Sequence, residues 1–351
     1  MADDDRQARD RSIEVEGLTR DFADLRAVDG VDLSIPSGEI FGFLGPNGAG
    51  KSTLVKMLTT ILAPTAGKAR VAGYDVSRQQ GQVRRAIGVA LQEVGIDPLM
   101  TSRELLVMQG QLFGIATDRA QAMAERLLTT VGLDDVDPKK RVGGYSGGMK
   151  RRLDLALALA HDPWVLFLDE PTSGLDPASR LAIWEEVRRL NEDRGMTIFL
   201  TTQYLEEADR LADRVAIIDH GKIVALGTPD ELKRGLGQEV VELAFEAPGL
   251  AERAADVLTD VAPRCRLSES GVRCYFPEAA HEVPQIVRAL DQAGVPLRGL
   301  TLNQPTLDDV FLRATGESMG AAALDAEGET AEDAPRGASG DEGWVSEEVR
   351  R

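Results

Sequence analysis

A chain of 351 residues, 43% hydrophobic and with a formal net charge of −18, has room for about two domains of ordinary soluble composition. That charge excludes nucleic acid as the main ligand, because a phosphate backbone demands clustered Lys and Arg. No stretch approaches the ~18 uninterrupted apolar residues of a membrane span, and the charged start Met1-Ala2-Asp3-Asp4-Asp5-Arg6 lacks the apolar core of a signal peptide. A cytoplasmic protein is expected, with any membrane role passing through a partner.

Residues 1–11 are polar and expected to be disordered. From Ile13 to about Lys233, strand-like and helical runs alternate as in an α/β nucleotide-binding domain. Within it Glu39-Ile40-Phe41-Gly42-Phe43-Leu44 reads as a buried strand and Leu54-Val55-Lys56-Met57-Leu58 as a helix. The nine residues between them, Gly45-Pro46-Asn47-Gly48-Ala49-Gly50-Lys51-Ser52-Thr53, fit the phosphate-loop pattern G-x-x-x-x-G-K-[ST]. Three glycines let consecutive N–H groups point at one anion, and the helix start adds its partial positive charge. Lys51 is placed to reach the β- and γ-phosphates, and the Ser52 hydroxyl to complete a Mg²⁺ shell of hard oxygens. A glycine-rich turn without a ligand is the plainer alternative, and the flanking strand and helix argue against it.

Further along, Tyr145-Ser146-Gly147-Gly148-Met149 opens the helical run Lys150-Arg151-Arg152-Leu153-Asp154-Leu155-Ala156-Leu157-Ala158-Leu159. This is a second glycine-rich helix start: either another anion-binding N-terminus or a turn capped by Ser146. Val165-Leu166-Phe167-Leu168-Asp169-Glu170 is an apolar strand ending in two acids. Its end can place Asp169 beside the Mg²⁺, directly or through water, with Glu170 the natural base for an attacking water.

Gly235-Leu236-Gly237 punctuates the chain, and the rhythm then changes. Strand 240–245, helix 250–261, a hairpin of 264–267 with 272–276, helix 279–293 and strand 297–302 make a β-α-β-β-α-β order, the ferredoxin-like pattern. Cys265 and Cys274 flank its turn; they face each other if Glu269-Ser270 is a two-residue loop and separate if the register slips by one. Two cysteines without zinc spacing fit a reducing compartment. Two reduced thiols are therefore expected, with a redox switch as the alternative. Thr306 then caps a short helix with Asp309 in its first turn. Residues 316–351 hold ten acids and three arginines, so −7 of the net charge lies in what reads as a disordered acidic tail.

The phosphate loop, Ser-Gly-Gly helix start and strand-Asp-Glu, in this order, resemble the nucleotide-binding subunit of an ABC transporter over residues 13–233. The resemblance implies an α/β P-loop NTPase with an inserted helical subdomain at about 94–160, within an ATPase domain of 12–234. A small α+β domain of 238–316 and a disordered tail of 317–351 follow. It implies ATP and Mg²⁺ as ligands and a head-to-tail homodimer, in which Ser146, Gly147 and Gly148 of one copy contact the γ-phosphate held by the other. Phe22 sits where the family stacks an aromatic on adenine, although a lone Phe also suits a core. Gln92 matches the glutamine that senses Mg²⁺ and links to the membrane subunit. Ser173-Gly174-Leu175-Asp176 matches the loop joining the two ATP sites. The apolar stretch 100–113 lies where the family receives the membrane subunit's coupling helix, and ordinary helix packing explains it equally well.

One position departs from the family. Gln203 stands where a histidine usually meets the γ-phosphate, and the three histidines, His161, His220 and His281, lie elsewhere. Glutamine still donates and accepts hydrogen bonds but has no titratable proton. Gln203-Tyr204-Leu205-Glu206-Glu207-Ala208-Asp209 and Gln304-Pro305-Thr306-Leu307-Asp308-Asp309-Val310-Phe311-Leu312 resemble daunorubicin-resistance-type subunits, where Gln at that position is familiar. That resemblance implies efflux of hydrophobic drugs or antibiotics through separate integral-membrane permease subunits, with this chain peripheral at the cytoplasmic side of the membrane. The alternatives are a soluble ABC ATPase of DNA repair or translation, and an importer or lipid-type transporter.

Overall fold

The structure, a computed structural model, describes residues 11–316 apart from 24, 92–94, 237–238, 260, 263, 269–270, 278 and 304. The disorder expected for the N-terminus and the tail falls outside these residues, except that Arg11 already belongs to a strand. β1 (Arg11–Phe22) and β2 (Leu25–Pro36) form a long antiparallel hairpin that pairs Phe22 with Leu25. Val28, Val31, Leu33 and Ile35 are buried while Gly30, Asp32 and Pro36 are exposed, the alternation of a half-buried strand. β3 (Ile40–Leu44) follows, then α1 (Lys51–Leu58), β4 (Ala66–Val71), β5 (Tyr74–Asp75), α2 (Gln80–Ala86) and β6 (Ile87–Ala90). β4 returns to pair with β1, giving an antiparallel sheet of order β2-β1-β4-β5. The expected α/β alternation therefore does not start at Ile13, because the first two strands pair locally.

The second half of the sheet system comes from α3 (Ser102–Leu112), α4 (Thr117–Thr130), α5 (Gly147–Ala158), β7 (Val165–Asp169), α6 (Pro177–Arg194), β8 (Thr197–Thr202), α7 (Leu205–Leu211), β9 (Arg214–Asp219), β10 (Lys222–Gly227) and α8 (Pro229–Arg234). The six-stranded sheet runs β10-β9-β3-β8-β7-β6, parallel except for the edge strand β10. β3, β7 and β8 are buried at every position, as strands covered on both faces must be. Alternate residues serve two cores. Phe41, Phe43, Phe167 and Phe199 face the antiparallel sheet, with ring centroids 5.5 to 5.7 Å from Phe199. Leu166, Leu168, Ile198 and Leu200 belong to the core that helices α3 to α6 share.

Beyond α8, β11 (Glu239–Ala244), α9 (Pro248–Leu258), β12 (Arg264–Ser268), β13 (Gly271–Phe276), α10 (Ala279–Gln292) and β14 (Gly299–Asn303) adopt the expected β-α-β-β-α-β order. Their antiparallel sheet, β12-β13-β11-β14, packs Val241, Leu243, Cys274 and Phe276 against Ala254, Leu258, Ile286 and Leu290 of the two helices. Ser268 pairs with Gly271, so the loop is indeed two residues long and Cys265 lies opposite Cys274. The expectation of two reduced thiols is overturned: the cysteines are joined in a disulfide, Cα to Cα 4.2 Å. The pairing also removes the support that cysteine usage lent to a reducing compartment.

α11 (Leu307–Thr315) starts at the expected cap: the Thr306 hydroxyl accepts from the Asp309 N–H, and the Asp309 carboxylate accepts from the Thr306 N–H at 2.8 Å. Such reciprocal caps contribute about 1 kcal/mol. The helix then packs Leu307, Val310 and Phe311 onto Leu44, Ala208, Val215 and Ile217, so the end of the described chain returns to the end of β3. A buried hydrogen bond from the Tyr275 hydroxyl to Asp309 joins it to the small sheet; burial, then Asp309, pushes the Tyr275 phenol above its ordinary range.

Candidate active site

Parallel register brings the chemistry-bearing residues to one end of the sheet. Leu44 pairs with Thr202 and Thr201 with Asp169, so the phosphate loop, Gln203 and Glu170 all leave neighbouring strands at their carboxyl ends. The loop turns tightly: Gly50 has φ +106°, and a Cβ there would lie 2.3 Å from the Ala27 carbonyl oxygen. Glycine is the residue that accepts both conditions.

A cleft of about 350 Å³ is lined by Phe22, Leu25, Pro46, Asn47, Gly48, Gly50, Lys51, Ser52, Thr53 and Glu170. Phe22, expected to stack on adenine, thus shares a cavity with the loop, 40% exposed and backed by the Arg20 guanidinium 4.5 Å from its ring centre. A larger cleft of about 790 Å³, around Trp164 and Arg194, adjoins the starts of β7 and β8, at the end remote from these groups. The chemistry, not the size, identifies the site.

Lys51 is 4% exposed; its ammonium donates to the carbonyls of Gly45 (2.7 Å) and Pro46 (3.0 Å) and lies 3.7 Å from Glu170 Oε1. Burial pushes it below its ordinary value, and the Glu170 and Asp169 carboxylates pull it back up. The Ser52 hydroxyl donates to Asp169 Oδ1 at 3.3 Å, and the same oxygen accepts from the Thr201 hydroxyl. Among the described residues no group of three or more His, Cys, Asp or Glu could hold a metal by itself. One carboxylate and one hydroxyl suit an ion that also takes phosphate oxygens, and hard oxygens suit Mg²⁺.

The backbone of Glu170 has φ +49°, in the left-handed region a glutamate seldom occupies. Its N–H donates to both the carbonyl and the hydroxyl of Thr201, each at 3.1 Å. Thr201 is a site residue that sequence reasoning missed, since a threonine inside an apolar strand carries no signal of its partners. Glu207, fully buried, was missed too: it accepts from the Thr172 hydroxyl (2.9 Å) and the Trp184 indole (2.8 Å). It ties the loop after Glu170 to the helix after Gln203.

The remaining expectations lie apart. Ser146 caps α5, accepting from the Met149 N–H at 3.2 Å, and Asp176 caps α6, accepting from the Ser179 N–H at 3.0 Å. Ser146, Gly147, Gly148 and Asp176 are not among the residues lining the cleft of their own chain. Gln203 is half-buried, one residue past β8. Gln92 lies outside the described residues, two positions beyond the end of β6.

On α5, Asp154 lies 3.3 Å from the buried Arg151, yet burial outweighs that attraction and pushes its carboxyl up to about 6. A raised carboxyl binds its proton more tightly in the folded chain, so its contribution to stability is full below pH 3.8 and lost as pH rises through about 6. The stability of the parent relative to Asp154→Asn is expected to fall by roughly 2 kcal/mol between pH 4 and 6.5 and to level off above. Denaturant titrations of both proteins across that range check this, and a flat difference refutes it.

Residues 28–173, which hold the cleft's lining from Pro46 to Glu170, match the family model "ABC transporter", and residues 227–315 match "ATP-binding protein DrrA1-3-like, C-terminal domain". The daunorubicin resistance ATP-binding protein DrrA3 of Streptomyces coeruleorubidus is 42% identical over 308 residues, 88% of this chain and 97% of that protein. The daunorubicin/doxorubicin resistance ATP-binding protein DrrA of Streptomyces peucetius is 44% identical over 87% of this chain and 93% of its own length. The Nod factor export ATP-binding protein I of Rhizobium sp. (strain N33) is 40% identical over 88% of this chain and 98% of its own. Among solved structures, cbiO1 from Clostridium perfringens, part of an ABC transporter complex, superposes with a TM-score of 0.59 at 26% identity, covering 65% of this chain and 95% of that one. With relatives of 40–44% identity spanning 87–88% of its length, and with the phosphate loop, the strand-Asp-Glu and the C-terminal part all matched, this chain belongs to the ABC transporter ATP-binding family and is an ATPase.

Proposed function

We propose that this ATPase drives efflux of hydrophobic drugs or antibiotics through separate integral-membrane permease subunits, docked at the cytoplasmic face of the membrane. The observation that carries this reading is the likeness to daunorubicin-resistance ATP-binding proteins along both the ATPase part and the C-terminal part. In it, residues 12–234 are the ATPase domain, with its helical subdomain at about 94–160, and 238–316 are the small α+β domain. Leu99, Met108, Leu112 and Phe113 are exposed apolar side chains in and around α3, and we assign them to contact with the permease.

Two copies associate head to tail, the capped start of α5 at Ser146, Gly147 and Gly148 reaching the γ-phosphate held by Gly45 to Thr53 of the other copy. Supporting this, Ser146 and Gly147 are exposed and Gly148 is buried behind them, at a helix N-terminus that the cleft of their own chain does not use. Lys51 leaves the Gly45 and Pro46 carbonyls for the β- and γ-phosphates, and Glu170, no longer paired with Lys51, takes a proton from the attacking water. Ser52, Asp169 and Gln92 would hold Mg²⁺, which would neutralise charge on the phosphate oxygens. Gln203 hydrogen-bonds the γ-phosphate, and Asp176 belongs to the loop between the two sites.

Co-expression with the permease subunits of a daunorubicin exporter tests the reading. Cells should then retain several-fold less daunorubicin, the permease should co-purify, and Glu170→Gln should abolish the effect. Unchanged retention of daunorubicin and of other hydrophobic drugs sinks the cargo class, and failure to co-purify favours a soluble role.

A further inference from the structure

The basic run Lys150-Arg151-Arg152 lies in the first turns of α5, and its middle member is turned inward, 7% exposed. Arg151 uses all three guanidinium nitrogens. Nε donates to the Pro171 carbonyl (2.9 Å), Nη2 to the Asp169 carbonyl (2.7 Å), and Nη1 to the Leu91 carbonyl and to Asp154 Oδ2 (3.3 Å). Two of the three carbonyls stand on either side of Glu170, and the third immediately precedes Gln92. The left-handed backbone of Glu170 is therefore clamped twice: by Thr201 on its own N–H, and by Arg151 on the carbonyls of the residues before and after it, Asp169 and Pro171. A strained residue keeps its conformation only when its surroundings over-determine it, and a rigid planar fork meets three carbonyls as no shorter or flexible cation can.

We propose that Arg151 is a positioning residue for ATP hydrolysis: it holds Glu170 at its angle toward the nucleotide and ties it to Leu91 and to the helix beginning at Ser146. It lines no part of the cleft and acts through these residues. One guanidinium thereby joins the helix offered to the partner's nucleotide to the base of its own site. The proposal rests on the role given above to Glu170. The ion pair with Asp154 does not by itself explain the arrangement, because such a buried pair is often replaced by apolar residues at no loss.

The test uses the full chain, with MgATP turnover, equilibrium binding of trinitrophenyl-ATP and thermal unfolding measured on Arg151→Gln, Arg151→Lys and the double variant Arg151→Met/Asp154→Leu. We expect kcat to fall about 10- to 100-fold in the Gln and double variants. KM and nucleotide affinity stay within about threefold, and the double variant still folds cooperatively. Arg151→Lys, which keeps the charge and some of the donors, recovers part of kcat. A folded variant with kcat within about twofold of the parent overturns the proposal, as does a joint fall of kcat and nucleotide affinity. Failure of both the Gln and the double variant to fold also overturns it, since Arg151 would then hold the fold rather than the base. Parental turnover in Glu170→Gln would instead remove the role of Glu170, whatever the Arg151 variants do.

Discussion

Glu170→Gln is expected to lower ATP turnover by about 10²- to 10⁴-fold while leaving ATP binding intact. The substitution preserves the shape and the backbone bonds that hold the residue, because Thr201 engages the Glu170 N–H and not its carboxylate. What disappears is the acceptor for the proton of the attacking water, since an amide is not a base. The variant should therefore bind ATP and remain closed as a dimer, which size-exclusion chromatography with and without ATP reads directly. Turnover at the parental rate would remove Glu170 from the mechanism.

Lys51→Met is expected to reduce kcat/KM for ATP by about 10²- to 10³-fold and, unlike the first variant, to weaken ATP binding as well. Lys51 is a buried cation of the cleft, satisfied by the Gly45 and Pro46 carbonyls and close to Glu170, and in the proposed function these contacts are exchanged for phosphate oxygens on binding. Methionine fills a similar volume without the charge, so folding should be preserved; burial already disfavours the ammonium. Nucleotide titration and steady-state kinetics on the same preparation check both parts, and an unchanged dissociation constant would refute the assignment. The two variants together separate holding the phosphates from cleaving them: one should accumulate an ATP-bound dimer, the other should not reach it.

The parts of the site that were legible in the sequence are those made by neighbouring residues. The strand, loop and helix around Gly45 to Thr53 interact over a few positions, as do the reciprocal cap of Thr306 and Asp309 and the two-residue turn that sets Cys265 against Cys274. Apolar β7 announced its own burial and put Asp169 and Glu170 at its end. Alternation was expected from Ile13, whereas β1 and β2 pair as an antiparallel hairpin, because strand signals alone do not say which strands pair. Free thiols were expected from the count of cysteines, whereas their pairing follows from register. Nothing in a Lys-Arg-Arg run shows that its middle residue is the buried one, because helical phase is set by what the helix packs against.

The sequence by itself determined that a nucleotide binds between the phosphate loop and the strand-Asp-Glu, that a β-α-β-β-α-β segment follows, and where α11 begins. These are local patterns whose spacing encodes their chemistry. Tertiary structure alone decided that Phe22 and Glu170 share one cleft, that Thr201 and Arg151 hydrogen-bond the backbone around Glu170, and that α11 returns to the end of β3. Each of these depends on side chains far apart in the chain whose separation is settled only when the parallel strands take their register and the two cores close around them.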